Sequence, residues 1–231
     1  MSSILIVESK NDQQFLQFLI NHLNYEIEVD APICIDDDYE CLDGLSEGKL
    51  ITTLRDLDEN SQKRDFEKIG IIIDQDHHSQ QERLDFINRC LEQVFKLETK
   101  LTTVNQWINI ESFQGIPLQL ACHFTNVDGH GELETLLKQI KSHDSPYADC
   151  LADWRDCLQN QGLQISKKDF DKFWWNQYIR YDTCSKQDRK QAGKKCSMQN
   201  FNYILEHKGS NILNLNHQAL QPLKDFLELF R

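Results

Sequence analysis

At 231 residues, 39% hydrophobic and 10% aromatic, the chain can bury one large core, which excludes a disordered polymer. A formal net charge of −12 argues against a protein that coats nucleic acid by bulk electrostatics. No apolar run approaches the roughly 18 residues of a membrane span, and the opening MSSILIVES has neither a basic segment nor a small-residue cleavage site; the expectation is a soluble cytoplasmic protein with no membrane partner.

The residues SILIV, 3–7, are too densely apolar for the start of an amphipathic helix and predict a strand buried on both faces of a parallel sheet. In NDQQFLQFLINHL the residues Phe15, Leu16, Leu19, Ile20 and Leu23 recur at helical spacing, with Asp12 near the N-terminus where the helix dipole favours an acid. YEIEVD, 25–30, alternates as a second strand should, and the acidic stretch IDDDYECLDGLSEG from Ile35 reads as a loop. LITTLRDL predicts a helix that ends at a polar break, DENSQK.

IGIIID, 69–74, is a third strand, followed by a helix that presents Leu84, Ile87, Leu91 and Val94 or Phe95 on one face. IPLQLACHFT, 116–125, supplies a fourth strand and GELETLLKQI another helix. Strand and helix thus alternate over residues 1–141, the pattern of an α/β fold with a central parallel sheet flanked by helices.

Residues 142–231 predict a mostly helical extension that packs on the same core. SPYADCLADWRDCLQNQG places Leu151, Trp154, Cys157 and Leu158 on one side of a helix. KKDFDKFWWNQYIRYDTC mixes six aromatics with four basic residues, and Phe170, Phe173, Trp174 and Tyr178 are expected to be its buried face, stacking on bases being the other use of such a mixture. SKQDRKQAGKKCSMQN reads as a flexible basic loop, and QALQPLKDFLELFR as an amphipathic helix whose Leu220, Leu223, Leu227 and Phe230 pack back on the sheet. From Gln161 to Lys208 there are ten Lys or Arg against five Asp or Glu, so this section is positive within an acidic chain.

The eight cysteines are scattered and form no CxxC pair, so free thiols are expected. A zinc site built from Cys184, Cys196 and a histidine such as His207 is the alternative, although no ligand knuckle supports it.

In open α/β sheets ligands bind beyond the carboxyl ends of the strands. Glu8 follows the first strand, Asp74 and Asp76 follow the third, and Glu134 lies early in the helix after the fourth, so these acids can meet at one edge. Two charges about 4 Å apart repel by roughly 4 kcal/mol at an effective dielectric near 20. Such a cluster either protonates or binds a cation, and oxygen ligands without cysteine favour Mg²⁺ or Mn²⁺.

The combination of VESKND, IIIDQD and GELE resembles the Toprim domain shared by topoisomerases, bacterial primases and OLD-type nucleases, and looks most like a family of small standalone Toprim-like proteins allied to those nucleases and often grouped with antiphage systems. The resemblance covers residues 1–141 and extends to the ending LNLNHQALQPLKDFLELF. It implies that Glu8, Asp74 and Asp76 are catalytic, and that with Asp12 and Glu134 they hold Mg²⁺ or Mn²⁺, Glu132 being a competing assignment for Glu134. Ser9 stands where many Toprim proteins have glycine. The implied activity is a metal-dependent nuclease of antiphage defence, acting on DNA ahead of RNA, with His77, Lys172, Arg189, Lys190, Lys194 and Lys195 touching nucleic acid. The alternative is a non-catalytic or regulatory Toprim-like subunit partnering an ATPase. The pair His77–His78 after Asp76 also resembles the DHH phosphoesterases, but the early aspartate motif of that family is absent. SILIVES resembles the start of a receiver domain, for which Asp74 falls too late.

Overall fold

The structure, a computed structural model, describes residues 2–34, 45–64 and 66–231. Its elements run β1 Ser2–Val7, α1 Lys10–Leu23, β2 Glu28–Val29, α2 Glu47–Arg64, β3 Phe66–Asp74, α3 Gln80–Leu91, β4 Lys96–Leu97, β5 Ile108–Glu111, β6 Pro117–Thr125 and α4 Leu133–Gln139. Next come α5 Pro146–Asp149, α6 Leu151–Asn160, α7 Lys167–Gln177, and then a series of short helical turns, α8 Ala192–Lys195, α9 Phe201–Ile204 and α10 Ser210–Ile212 among them, before α11 Gln221–Glu228.

The described strands form a six-stranded sheet in the order β2-β1-β3-β6-β5-β4. The first four are mutually parallel, as the apolar runs predict, and β5 and β4 add an antiparallel edge that the sequence reading missed. From β1 the chain moves to one side to form β2 and then returns to the other side of β1 to form β3. That reversal opens a crevice between the carboxyl ends of β1 and β3, where loops leave in opposite directions. Glu8 and Asp74 sit at its two walls.

Both faces of the sheet are buried, which is why β1 and β3 read as unbroken apolar runs. Leu5, Val7 and Ile72 point into one cluster with Phe15, Leu19, Trp174, Trp175, Phe226 and Phe230, so the C-terminal segment covers this face. Ile4, Ile6, Ile69, Ile71 and Ile73 point into the other, with Leu54, Leu84, Ile87, Val94 and Phe95. The final helix packs back on the sheet as expected, and Leu220, Leu223, Leu227 and Phe230 are all buried.

Several local expectations are corrected. The second strand shrinks to two residues. Helix α2 runs straight through DENSQK, because the side chains that would break it bond within it: Ser61 Oγ donates to the Asp58 carbonyl at 2.7 Å and Asn60 Nδ2 to the Asp56 carbonyl at 2.7 Å. Most of the acidic stretch from Ile35 lies outside the described residues, and its last residues, Glu47 and Gly48, already belong to α2.

The basic stretch 185–200 is a run of short helical turns, Asp188–Gln191, α8 and Met198–Asn200, closed by a disulfide between Cys184 and Cys196. Cys34 is disulfide-bonded as well, so among the described residues the expectation of free thiols holds for Cys90, Cys122, Cys150 and Cys157. On α7 the buried positions are Phe170, Asp171, Trp174 and Trp175, and Phe173 is exposed: it falls outside the arc that faces the core.

Candidate metal centre

Three backbone devices carry the acids to the crevice. Ser9 caps α1 and Asp12 closes a capping box with it: the Asp12 amide donates to Ser9 Oγ at 3.3 Å, while the Ser9 amide donates to Asp12 Oδ2 at 2.9 Å. The loops after β3 and β6 are tied by a reciprocal pair, the Asp76 amide to the Gly131 carbonyl at 2.8 Å and the Gly131 amide to the Asp76 carbonyl at 2.9 Å. Asp76 has φ 53° and Gly131 φ 102°, so the tie uses left-handed backbone that aspartate tolerates and glycine accepts freely. The third device is α4, whose Leu133 amide donates to Asp74 Oδ1 at 3.2 Å, an orphan helix N–H satisfied by a strand-end carboxylate.

The outcome is a cluster of buried acids. Asp74, Asp76 and Glu132 each present a carboxylate oxygen, and these oxygens lie within 4.8 Å of one another. Glu8 lies beside them, its Oε2 accepting the Asp74 amide at 3.2 Å. Glu8, Asp12, Asp74, Glu132 and Glu134 are all buried. Glu132 has a buried Oε1 without any hydrogen-bond partner, an expensive state for a carboxylate.

Burial is the largest cause of the resulting proton affinities, and the neighbouring carboxylates add to it. Glu8 is raised by burial and by Asp76, against the lowering effect of the Asp74 amide. Asp12 is pushed up to about 7 by burial, with Glu8 and Glu134 adding to it against the lowering bond from Ser9. Asp74 is held well above the usual carboxylate range by burial and by Asp12, Glu8, Glu132 and Glu134. Glu132 rises to about 7 through burial and Glu134, and Glu134 rises through burial. These mutual influences place all six acids in one electrostatic unit.

Cations from two helices answer it. Arg83 of α3 is buried and bonds Asp76 Oδ2 through Nη2, with its Nε 3.4 Å from the Gln75 carbonyl. Lys168 of α7 lies 3.1 Å from Asp76 Oδ1 and 3.2 Å from Glu132 Oε2, and Lys172 lies 3.7 Å from Glu132 Oε2. Burial disfavours the Lys168 ammonium, but Glu132 and Asp76 outweigh it and raise its pKa. Helix α7 is anchored to α4 by Asp171, which accepts from Lys138 at 3.1 Å, Lys167 at 2.9 Å and Thr135 at 3.0 Å. A cavity of about 420 Å³ opens in front of the cluster, lined in part by Asp76, His77, Glu132, Ser166, Lys167 and Lys168.

A family model described as Protein of unknown function (DUF3226) matches residues 2–231. The chain belongs to that family. No curated protein and no solved structure matches it. The DUF3226 match runs from β1 past α11, so the six acids and the α7 lysines all lie within it.

The expected site residues divide accordingly. Glu8, Asp74 and Asp76 converge as the strand ends predict, and His77 lines the cavity. Asp12 is in the cluster but spends Oδ2 on its capping box. Of the competing glutamates, Glu132 completes the close trio with the orphaned oxygen, while Glu134 sits next to it and acts on its proton affinity. Lys172 reaches Glu132.

Arg189, Lys190, Lys194 and Lys195 belong to the disulfide-closed turns instead. Arg189 lies over the Tyr181 ring and Lys195 pairs with Asp188, and none of the four lines the cavity. The zinc alternative falls because Cys184 and Cys196 bond each other, and His207 Nδ1 meets the Tyr203 carbonyl at 2.9 Å.

The sequence reading missed Lys168 and Arg83. Lys168 stands one helical turn before the chosen Lys172 on α7, a spacing that could have flagged it. Arg83 lies among the buried positions of α3 with Leu84 and Ile87, and a charge on an apolar face is itself a signal of a buried partner.

Proposed function

We propose that this DUF3226 chain is a Mg²⁺- or Mn²⁺-dependent phosphodiesterase, a nuclease of the Toprim and OLD type. The observation that carries the reading is the trio Asp74, Asp76 and Glu132, whose oxygens lie within 4.8 Å while Glu132 Oε1 is buried without a partner. Arg83, Lys168 and Lys172 leave that oxygen unsatisfied, and a hard dication with oxygen ligands is the species that fits such a donor set.

Glu8, Asp74, Asp76 and Glu132 would hold the ion, with Asp12 and Glu134 behind them. When bound, the metal supplies Lewis-acid polarisation of a phosphate and a lowered pKa for attacking water. The chain's own residues do the rest. Asp74 is fixed by the α4 N-terminus and Asp76 by Arg83, so their carboxylates are oriented before substrate arrives. Lys167 and Lys168 line the cavity and stand where a phosphate entering it would find positive charge. His77, which also lines the cavity, can donate to a phosphate oxygen. The cytoplasm as the site of action, DNA ahead of RNA as substrate, and a role in defence against foreign nucleic acid rest on the sequence resemblance.

A second reading has its own observation. Lys168 and Arg83 already pair with Asp76, as in a cluster neutralised by its own cations. On that reading the chain is a non-catalytic or regulatory subunit partnering an ATPase. The two are separated by titrating the folded protein with Mn²⁺ in a calorimeter and by incubating it with plasmid, linear duplex and RNA in Mg²⁺ or Mn²⁺. The nuclease reading expects Mn²⁺ binding and cleavage, both abolished by Asp74→Asn. A folded wild type that binds no Mn²⁺ overturns it.

A further inference from the structure

Asp76 has both carboxylate oxygens engaged: Oδ2 accepts from Arg83 Nη2, and Oδ1 lies 3.1 Å from Lys168 Nζ. An ion bound through Asp76 must share one of these oxygens with a cation or displace it, and a dication in contact with a second positive charge is strongly repelled. The two cations are not equally held. The Arg83 side chain is 5% exposed, has its Nε 3.4 Å from the Gln75 carbonyl and lies over the Phe86 ring. The Lys168 side chain is 40% exposed, and its other partner, Glu132 Oε2 at 3.2 Å, also belongs to the acid trio. An ion held by Asp76 and Glu132 therefore takes both partners of Lys168 and leaves Arg83 in place. Lys168 also fills the site incompletely, since Glu132 Oε1 is buried without a partner.

We infer that Lys168 holds the ion's place in the metal-free protein and is exchanged for the dication, passing from Asp76 and Glu132 to a phosphate in the cavity. This rests on the phosphodiesterase reading and specifies how its substrate group is captured. Lys168 lines the cavity of about 420 Å³ together with His77, Ser166 and Lys167, so the displaced ammonium remains at the wall where a phosphate enters. Lys167 is already committed to Asp171 at 2.9 Å, which leaves Lys168 as the cation that metal binding releases. Metal and phosphate then help each other. The ion frees Lys168 for the phosphate, and by linkage a phosphate that holds Lys168 raises the affinity of the acids for the ion.

The test titrates the full-length protein with Mn²⁺ in a calorimeter. Lys168→Met is expected to bind Mn²⁺ about ten-fold more tightly than wild type, Lys172→Met to gain less than about three-fold, and Lys168→Arg, which keeps the cation, to gain nothing. Lys172 is the control for charge alone, being on the same helix and 3.7 Å from Glu132 Oε2. Thymidine 5′-monophosphate is then titrated as the phosphate probe. Wild type is expected to bind it more tightly at saturating Mg²⁺ than in EDTA, and Lys168→Met to bind it about ten-fold more weakly than wild type at saturating Mg²⁺. Opposite signs for metal and phosphate mark an exchanged cation, because loss of a lysine that only supports the fold would weaken both. Mn²⁺ affinity unchanged or reduced in Lys168→Met, an equal gain in Lys172→Met, or nucleotide binding indifferent to Mg²⁺ overturns the inference. Cleavage by a wild type whose Mn²⁺ affinity Lys168→Met merely matches would sink the exchange and leave the phosphodiesterase reading standing; the expected opposite signs in a protein that cleaves no nucleic acid would do the reverse.

Discussion

The Asp74 amide donates to Glu8 Oε2 at 3.2 Å across 66 residues of sequence, so the end of β3 is held by the carboxylate that follows β1. Glu8 therefore both shapes the crevice and adds charge to it. Glu8→Gln keeps an oxygen for the Asp74 amide and removes the charge. The variant is expected to fold with a melting temperature at or above that of the metal-free wild type and to lose about a hundredfold or more in Mn²⁺ affinity and phosphodiester cleavage. Thermal denaturation and calorimetry check the two halves, and an unchanged Mn²⁺ affinity counts against Glu8 as a ligand.

The buried acids give the metal-free protein a definite pH dependence. Asp12 and Glu132 are raised to about 7 and Glu8, Asp74 and Glu134 also upward, so between about pH 4 and 7 the folded state holds more protons than the unfolded one. Stability is therefore full below the unfolded carboxyl range and is lost as pH rises through the folded values. The melting temperature in EDTA is expected to fall from pH 5 to pH 8. Mn²⁺ should restore it at pH 8 and do little at pH 5, where protons occupy the ligands. A metal-free melting temperature that rises over this interval contradicts the assigned burial.

Much of this site was legible in the sequence because parallel strands buried on both faces have to be unbroken apolar runs, and the acids come directly after them. SILIV and IGIIID gave β1 and β3, and with them Glu8, Asp74 and Asp76. What was not legible depended on how distant pieces pack. Lys168 reaches Asp76 only because α7 is anchored to α4 through Asp171. The pairing of Cys184 with Cys196 depends on a Cα separation of 6.2 Å that spacing alone does not give. INIE, which became β5, is a four-residue antiparallel strand next to the sheet edge with little apolar signal, and α2 continued through DENSQK because the polar side chains there bond to their own helix.

Arg83 is the buried counter-charge of Asp76, with side-chain exposures of 5% and 12%. Removing one partner of such a pair leaves the other poorly compensated. Arg83→Met is expected to destabilise the metal-free protein by about 3 kcal/mol, less to the extent that Lys168 holds Asp76 alone. Asp76→Asn in the same protein should recover part of the loss, since asparagine keeps the left-handed backbone and removes the orphaned charge. Urea unfolding of both variants and the double variant measures the coupling.

The Cys184–Cys196 bridge closes a loop of 12 residues' separation that carries Arg189, Lys190, Lys194 and Lys195. By chain entropy, Cys184→Ser with Cys196→Ser should cost about 2–3 kcal/mol. These four basic residues are absent from the cavity lining, so cleavage by the folded variant is expected to stay close to wild type. A loss of cleavage at temperatures where the variant remains folded would instead make this segment part of the substrate path.

Gly70 lies in the middle of β3, paired with Leu5 on one side and Ala121 on the other, directly beneath the C-terminal helix. A methyl group there would stand 2.4 Å from Leu5 Cδ2, 2.6 Å from Phe230 Cζ and 3.1 Å from Phe226 Cζ. All three neighbours are buried, so relief requires α11 to lift or the rings to leave their rotamers. Gly70→Ala is expected to cost about 1–3 kcal/mol of overpacking. Phe230→Leu alone should also destabilise, by removing ring contacts with Trp107 and Phe226. The double variant should lose less than the sum, because the smaller side chain gives the methyl room. Chemical denaturation of the full cycle reads the coupling directly. A strictly additive result would mean that Phe230 does not press on β3, and the close seating of the C-terminal helix on the sheet would then be wrong.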